Sequence, residues 1–208
     1  MSVKSETVRQ IGIDSSFRMT GIVELEGMRV LGAVLVPHPG IKGLSRNQAL
    51  IIRSNAVWQV CNAVYTLIPG KGIDLYSHAI ALEDAAPKFG TKSGVMNSDH
   101  VAFVSSVLIA LQSKGLTIDV VAPDAVKRAI GLDVKGVVPR LKALSWSQHR
   151  ITKDLKERTL EMMCRLTNLG EHLEGMKQDE RFALGDATAV AIAGMGEVQR
   201  RRVEAMAR

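Results

Sequence analysis

The sequence predicts an α/β fold: a five-stranded mixed sheet with helices on both faces. Three observations predict it. Runs rich in Val, Ile and Leu over residues 8–13, 21–26 and 28–36 follow one another with turn-sized gaps, which reads as an antiparallel meander. Two later apolar runs, 77–82 and 117–121, are separated from the meander and from each other by stretches of helical periodicity, so they join the sheet in parallel. The rest of the chain is helical, enough to cover both faces of a sheet whose strands are apolar throughout.

Element by element, the first run ends in Gly12-Ile13-Asp14, and Glu26-Gly27 is the hairpin turn between the second and third. Residues 37–43, with two Pro and two Gly, form a loop. Ser45 is an N-cap, and a helix is expected from about Arg46 to Leu67, with Leu50, Ile51, Ala56, Val57, Val60, Cys61 and Val64 recurring on its buried side. Pro69-Gly70 stops it. The strand 77–82 has Glu83 directly at its end. A polar loop spans 90–97, and a helix begins at Ser98 or Asp99 and closes at Lys114-Gly115. After the strand 117–121, Ala122-Pro123-Asp124 opens a short helix to about Ile130. Residues 133–150 read as an irregular, basic insertion. A helix follows from about Thr152 to Leu166, then a polar loop through Gly170 and Gly175, then a last helix carrying Asp186 and the small residues 187–194. The tail 196–208, with Gln199-Arg200-Arg201-Arg202, reads as a basic helical end. With no internal repeat or low-complexity tract, 208 residues make a single domain.

Composition narrows the class of partner. The apolar fraction of 46% and charged fraction of 23% are those of a globular chain and exclude a disordered body. No apolar run reaches the roughly 18 residues of a membrane span, and residues 1–10 lack a signal peptide's core. Cys61 and Cys164 lie in apolar helical stretches and read as buried thiols of a reducing compartment, so a cytoplasmic protein is expected. A net charge of +6 draws the chain toward a polyanion, nucleic acid being the commonest. Gly70-Lys71-Gly72 is too short for a phosphate loop, so no nucleotide cofactor is expected. The five histidines lack metal-ligand spacing, and no Ser-His-Asp pattern or nucleophile elbow occurs.

Three acids carry the chemistry. Asp14 ends the first strand, Glu83 ends the fourth, and Asp186 lies on the last helix, whose Ala-rich face can approach a sheet closely. An unpaired carboxylate at a buried strand end is costly, and a hard divalent cation supplies a reason for it. Each acid also has a bland reading: Asp14 as a turn residue before Ser15-Ser16, Glu83-Asp84 as a charged strand end, Asp186 as a helix cap after Gly185. Their order along one fold makes the case.

At these residues the chain resembles the RuvC family of Holliday junction resolvases, nucleases of RNase H-like fold. Ile11-Gly12-Ile13-Asp14, with Arg18, Thr20 and Gly21 after it, is similar to the family's opening. Ile80-Ala81-Leu82-Glu83 looks like its second acidic motif, Val121-Ala122-Pro123-Asp124-Ala125-Val126-Lys127 its Ala-Pro-x-x-Val-Lys segment, and Asp186-Ala187-Thr188-Ala189-Val190-Ala191-Ile192-Ala193 its closing Asp-Ala-x-Ala-x-Ala-x-Ala helix. The four motifs stand in family order and cover nearly the whole chain.

The resemblance implies that Asp14, Glu83 and Asp186 hold two Mg²⁺ or Mn²⁺ ions, Asp14 bridging them, for in-line attack of water on a phosphodiester that leaves a 5′-phosphate and a 3′-hydroxyl. It further implies that Lys127 and Lys153 lie near the DNA backbone, with Arg18 and Lys88 as further contacts, and that a homodimer presents two sites to a four-way junction. Either lysine also reads as an ordinary solvated side chain.

Three departures matter. The family's fourth ligand position is Ala183 here. Asp179 substitutes only if the last helix breaks before Gly185, because seven helical residues span about 10.5 Å. The family's wedging aromatic position is Ala86, with Phe89 nearby as a substitute or as an ordinary core or surface residue. Residues 133–150 look like an insertion whose Lys135, Arg140, Lys142, Trp146, His149 and Arg150 either add a DNA contact or form a plain basic loop. Two rival functions stay open: an RNase H-fold nuclease for flaps, forks or hybrids, and an inactive protein that binds DNA junctions.

Overall fold

A computed structural model describes residues 9–16, 18–68, 78–85 and 94–195. Three strands, β1 (Arg9–Ser15), β2 (Met19–Glu26) and β3 (Arg29–Pro37), form the antiparallel meander. Gly27, at φ 62°, makes the turn between β2 and β3 where a side chain would be strained. Helix α1 (Arg46–Leu67) follows, then β4 (His78–Glu83), α2 (Gly94–Gln112), β5 (Ile118–Val121), α3 (Pro123–Ala129), α4 (Val134–Ala143), α5 (Gln148–Leu166), a 3-10 turn at Leu169–His172 and α6 (Gln178–Gly194). The sheet order is β3-β2-β1-β4-β5, with β4 parallel to β1 and β5 parallel to β4. The mixed sheet expected from the sequence is the one observed.

Period-two alternation divides the core. Ile11, Ile13, Ile22, Ile80 and Leu82 face one side, against Val60 and Val64 of α1 and Val104, Val107 and Leu111 of α2. Val23, Leu25 and Ala81 face the other, against Leu184, Ala187 and Ala191 of α6, Met163 of α5 and Val126 of α3. β1 and β4 are thus covered on both faces, as their unbroken apolar runs require.

Ser45 caps α1 as expected: its hydroxyl accepts from the Gln48 amide while the Gln48 side chain accepts from the Ser45 amide. Elsewhere the sequence reading needs correction. Leu50 and Ile51 are not core residues; they are 51% and 61% exposed, on the outward side of α1 with Trp58 at 60%. Helix α2 begins at Gly94, inside the stretch read as a loop. Residues 133–150 are not irregular. Asp133 caps α4 by accepting from the Gly136 amide at 2.8 Å, and Ser147 caps α5, which starts four residues before the expected Thr152. Gly136 and Pro139 inside α4 lower its helix propensity and hid it. No helix among the described residues is long and apolar enough to cross a membrane.

Candidate functional site

The alternation that sends Ile11 and Ile13 toward α1 and α2 sends Gly12 and Asp14 toward α6. The same alternation in β4 turns Ala81 and Glu83 that way. Strands β1 and β4 are parallel with Ile13 beside Leu82, so continuing the register by one residue brings Asp14 beside Glu83 at the carboxyl edge of the sheet.

Helix α6 comes down onto this edge because both surfaces are stripped of side chains. A Cβ on Gly12 would strike the Ala187 carbonyl oxygen and lie 2.7 Å from Ala191 Cβ. One on Gly21, the residue paired with Asp14 across β1 and β2, would strike the Ala183 carbonyl oxygen and lie 2.7 Å from its carbonyl carbon. Ala183, Ala187 and Ala191 recur every four residues, so they form one contact face. Asp186 lies at the margin of that face. It is mid-helix, which removes its reading as a cap. On its other side, Gly185 lets α5 approach: a Cβ there would lie 3.1 Å from Leu160 Cδ1 and 3.3 Å from Leu160 Cα. One turn before Leu160 stands Lys156, whose Nζ lies 3.2 Å from Asp186 Oδ2.

Three acids from three elements therefore share one site. Burial, then the charge of Glu83, holds the Asp14 carboxyl well above the usual range, with Lys156 and His100 opposing. Burial also raises Glu83; its hydrogen bond with Asp14 works the other way, and Asp186 adds to the rise. Burial, then the charge of Asp14, pushes Asp186 from 3.8 up to about 6, against the pull of Lys156 and Lys127. For Lys156, burial disfavours the ammonium, but Asp186, Asp14 and Glu83 together outweigh it and raise its pKa.

The cluster lacks positive charge, and Lys156 supplies one unit. Among the described residues no three His, Cys, Asp or Glu side chains form a ready metal cage. The donors nevertheless suit a hard divalent cation: carboxylate oxygens, desolvated and mutually repelling, with Asp14 lining an open groove of about 550 Å³. Asp14, Glu83 and Asp186 are the side chains such an ion would take.

No protein-family model matches the chain, and no curated protein matches it in sequence. Among solved structures, Thermus thermophilus RuvC in complex with a Holliday junction substrate is similar over 94% of this chain and 95% of that one, with a TM-score of 0.53 at 14% identity. A second T. thermophilus RuvC structure covers 89% of this chain, and 91% of its own length is matched, at a TM-score of 0.46 and 16% identity. The chain has the RNase H-like fold of RuvC.

On that RuvC-like fold, the groove beside Asp14 is walled by α5, α6 and the β1–β2 turn. One stripe of α5, His149, Thr152, Lys153 and Lys156, faces it at i, i+3, i+4 and i+7. Lys153 is half exposed there and pairs with Glu157 at 3.7 Å. Arg18 lines the groove from the β1–β2 turn, and Lys127, in the last turn of α3, is close enough to lower the pKa of both Glu83 and Asp186. Lys88, Phe89 and Ala86 lie outside the described residues. Helix α6 is unbroken from Gln178 to Gly194, so the condition for Asp179 to join the three acids is not met. Asp179 lines the outer groove, on the same face as Asp186 and about 10.5 Å from it along the axis. Ala183 is buried against Gly21.

Sequence reasoning missed Lys156 and the stripe it ends. The signal was there: His149, Thr152, Lys153 and Lys156 have helical spacing. Starting the helix at Thr152 left the first of them in a supposed loop. Arg150, one residue off the stripe, stacks on Trp146 with its guanidinium carbon 3.8 Å from the ring centroid, which fixes the turn between α4 and α5.

Proposed function

We propose that this protein is a divalent-metal-dependent endonuclease that cuts four-way DNA junctions by paired phosphodiester hydrolysis. The observation that carries the reading is the meeting of Asp14, Glu83 and Asp186 in one cluster, with Asp14 facing the groove, on a fold shared with a RuvC solved in complex with a Holliday junction substrate. Mg²⁺ or Mn²⁺, in a pair, would supply an activated water and stabilise the leaving oxygen. Asp14, Glu83 and Asp186 would hold them in their ionised forms, so metal binding competes with protons.

The chain's own residues account for the remaining requirements. Lys156 keeps the acids tolerable before metal arrives and offers a positive charge to the scissile phosphate afterwards. Lys153 and Arg18 line the groove and Lys127 acts on Glu83 and Asp186, which together offer the positive charge that a DNA backbone needs. A symmetric junction needs two such sites, and a homodimer would provide them. Helix α1 supports a dimer: from Asn47 to Leu67 its one charged residue is Arg53, held by Asp99 at 2.7 Å, and its outward side exposes Leu50, Ile51 and Trp58.

A second reading, a junction-binding protein that does not cut, is favoured by one observation. Ala183 stands where the family has a fourth acid, and no break in α6 brings Asp179 in to replace it. The experiment that separates these readings compares a mobile four-way junction, a flap, a fork and an RNA–DNA hybrid with Mg²⁺ or Mn²⁺. Preferred cutting of the junction supports the resolvase. Preferred cutting of the flap, fork or hybrid reassigns the substrate, and junction binding without cutting under either metal supports the binder.

A further inference from the structure

A second cavity, about 490 Å³, adjoins the acid groove, and Ser16 and Arg18 line both. It lies between the β1–β2 turn, the loop after β3, and helices α1 and α2. The geometry points to a nucleobase pocket: it would receive one unstacked base of the strand whose phosphate lies at Asp14. This rests on the proposed function, since it assumes that a DNA strand occupies the groove.

Four features fit a base. The walls are apolar, formed by Ile41, Ile52, Ala56 and Phe103, and the volume is that of a small-molecule site. The His38 and Phe103 rings meet edge to face with centroids 5.0 Å apart, giving an aromatic corner against which a flat ring can pack. The His38 ring is held in this corner by the 2.7 Å hydrogen bond between its Nε2 and Thr20 Oγ1, so the surface for packing is fixed in advance. The rim carries Arg18 and Lys42, both exposed and without an ion pair among the described residues, so a phosphodiester has cations on its way in. Arg53, also in the wall, is already committed to both Asp99 oxygens at 3.1 and 2.7 Å.

The shared wall decides between a base and an unrelated ligand. A strand with its phosphate in the groove passes Ser16 and Arg18, and the next base has this cavity beside it. At a four-way crossover the bases next to the branch are the least costly to unstack.

The test uses the full chain carrying Asp14→Asn, so that the strand stays intact with Mg²⁺ present. Four-way junctions carry 2-aminopurine at one nucleotide at a time around the crossover, and its emission is read with and without protein. Emission is expected to rise at a single position. Ile52→Trp, which fills the cavity, should abolish that rise and weaken junction binding about tenfold, the loss of one base's aromatic packing, leaving linear-duplex binding unchanged. Lys42→Gln keeps the core intact and should reduce the rise without removing it. Junction binding with no position-dependent rise would overturn the pocket and leave the junction reading standing. No preference for the junction over linear duplex would overturn both. A change of oligomeric state in Ile52→Trp, with the emission unaltered, would give the cavity to a second copy of the chain and overturn the base.

Discussion

The Lys156 ammonium lies 3.2 Å from the Asp186 carboxylate, across the contact where Gly185 lets α5 and α6 close together. Among the described residues it is the cation in a direct ion pair with the acid cluster, and it is held by packing on a neighbouring helix. Lys156→Met keeps an unbranched apolar stem and removes the charge, both beside Asp186 and 5.9 Å from the Phe182 ring centroid. Cleavage is expected to fall about 10²-fold, the usual effect of removing one charge-stabilising group. Metal-free stability should drop by only about 1 kcal/mol, because the lysine side chain is 43% exposed and solvent screens the pair. Single-turnover cleavage and urea denaturation in EDTA measure the two effects separately.

The acids give the metal-free protein a distinctive pH response. Asp14, Glu83 and Asp186 all have folded-state pKa values above their ordinary ones, Asp186 rising from 3.8 to about 6. Groups raised in this way favour folding below the ordinary value, and that contribution is lost as pH rises through the folded one. His38, lowered by burial from 6.5 to about 4, acts in the opposite sense over its own interval. Asp14, raised well above its ordinary value, adds to Asp186 and Glu83 against the one imidazole, so stability in EDTA should decline from pH 5 to pH 8. Mg²⁺ should raise the melting temperature more at pH 8 than at pH 5, since protons compete for its ligands. Asp186→Asn should flatten both responses. Melting curves with and without Mg²⁺ at the two pH values decide it; rising stability in EDTA would refute it.

Gly12 tests whether close packing of α6 sets the site. Its replacement by alanine places a Cβ against the Ala187 backbone, where no flexible side chain can yield. The expected cost is about 2–3 kcal/mol, from overpacking, with loss of cleavage as Asp186 is displaced from Asp14. Gly40→Ala, with nothing within 4 Å of the new Cβ, is the control and should change stability by less than about 0.5 kcal/mol. Urea denaturation of both variants, with circular dichroism to check the fold, makes the comparison.

The exposed side of α1 bears on assembly. Trp58→Glu places a charge in the centre of an outward face that otherwise carries none between Asn47 and Leu67 apart from the paired Arg53. Light scattering is expected to show a dimer for the native chain and a monomer for the variant, with paired nicking of a junction reduced to single nicks. A native chain that is monomeric in solution would argue against paired cutting.

Much of this was legible in the sequence because the signals were local. Gly12-Ile13-Asp14 and Ala81-Leu82-Glu83 each place an acid on a known strand face, and the Ala183, Ala187 and Ala191 spacing announces a helix built for close approach. What failed depended on contacts between distant segments. Leu50 and Ile51 have the spacing of core residues, but α1 turns them outward because Ala56, Val60 and Val64 already fill its contact with the sheet. Lys156 is one of two lysines on α5, and the sequence reading passed over it; the Gly185 contact is what brings it to Asp186. The cavity beside Arg18 draws on four separate segments, and no spacing could have revealed it.

The most direct measurement is cleavage of an end-labelled four-way junction with Mg²⁺, beside a linear duplex of the same sequence and the Asp14→Asn protein. The expected result is symmetric paired nicks in the junction alone, abolished by Asp14→Asn while junction binding persists. Full cleavage by Asp14→Asn, or a native chain that binds the junction and never cuts it, would contradict a metal-dependent nuclease built on Asp14, Glu83 and Asp186.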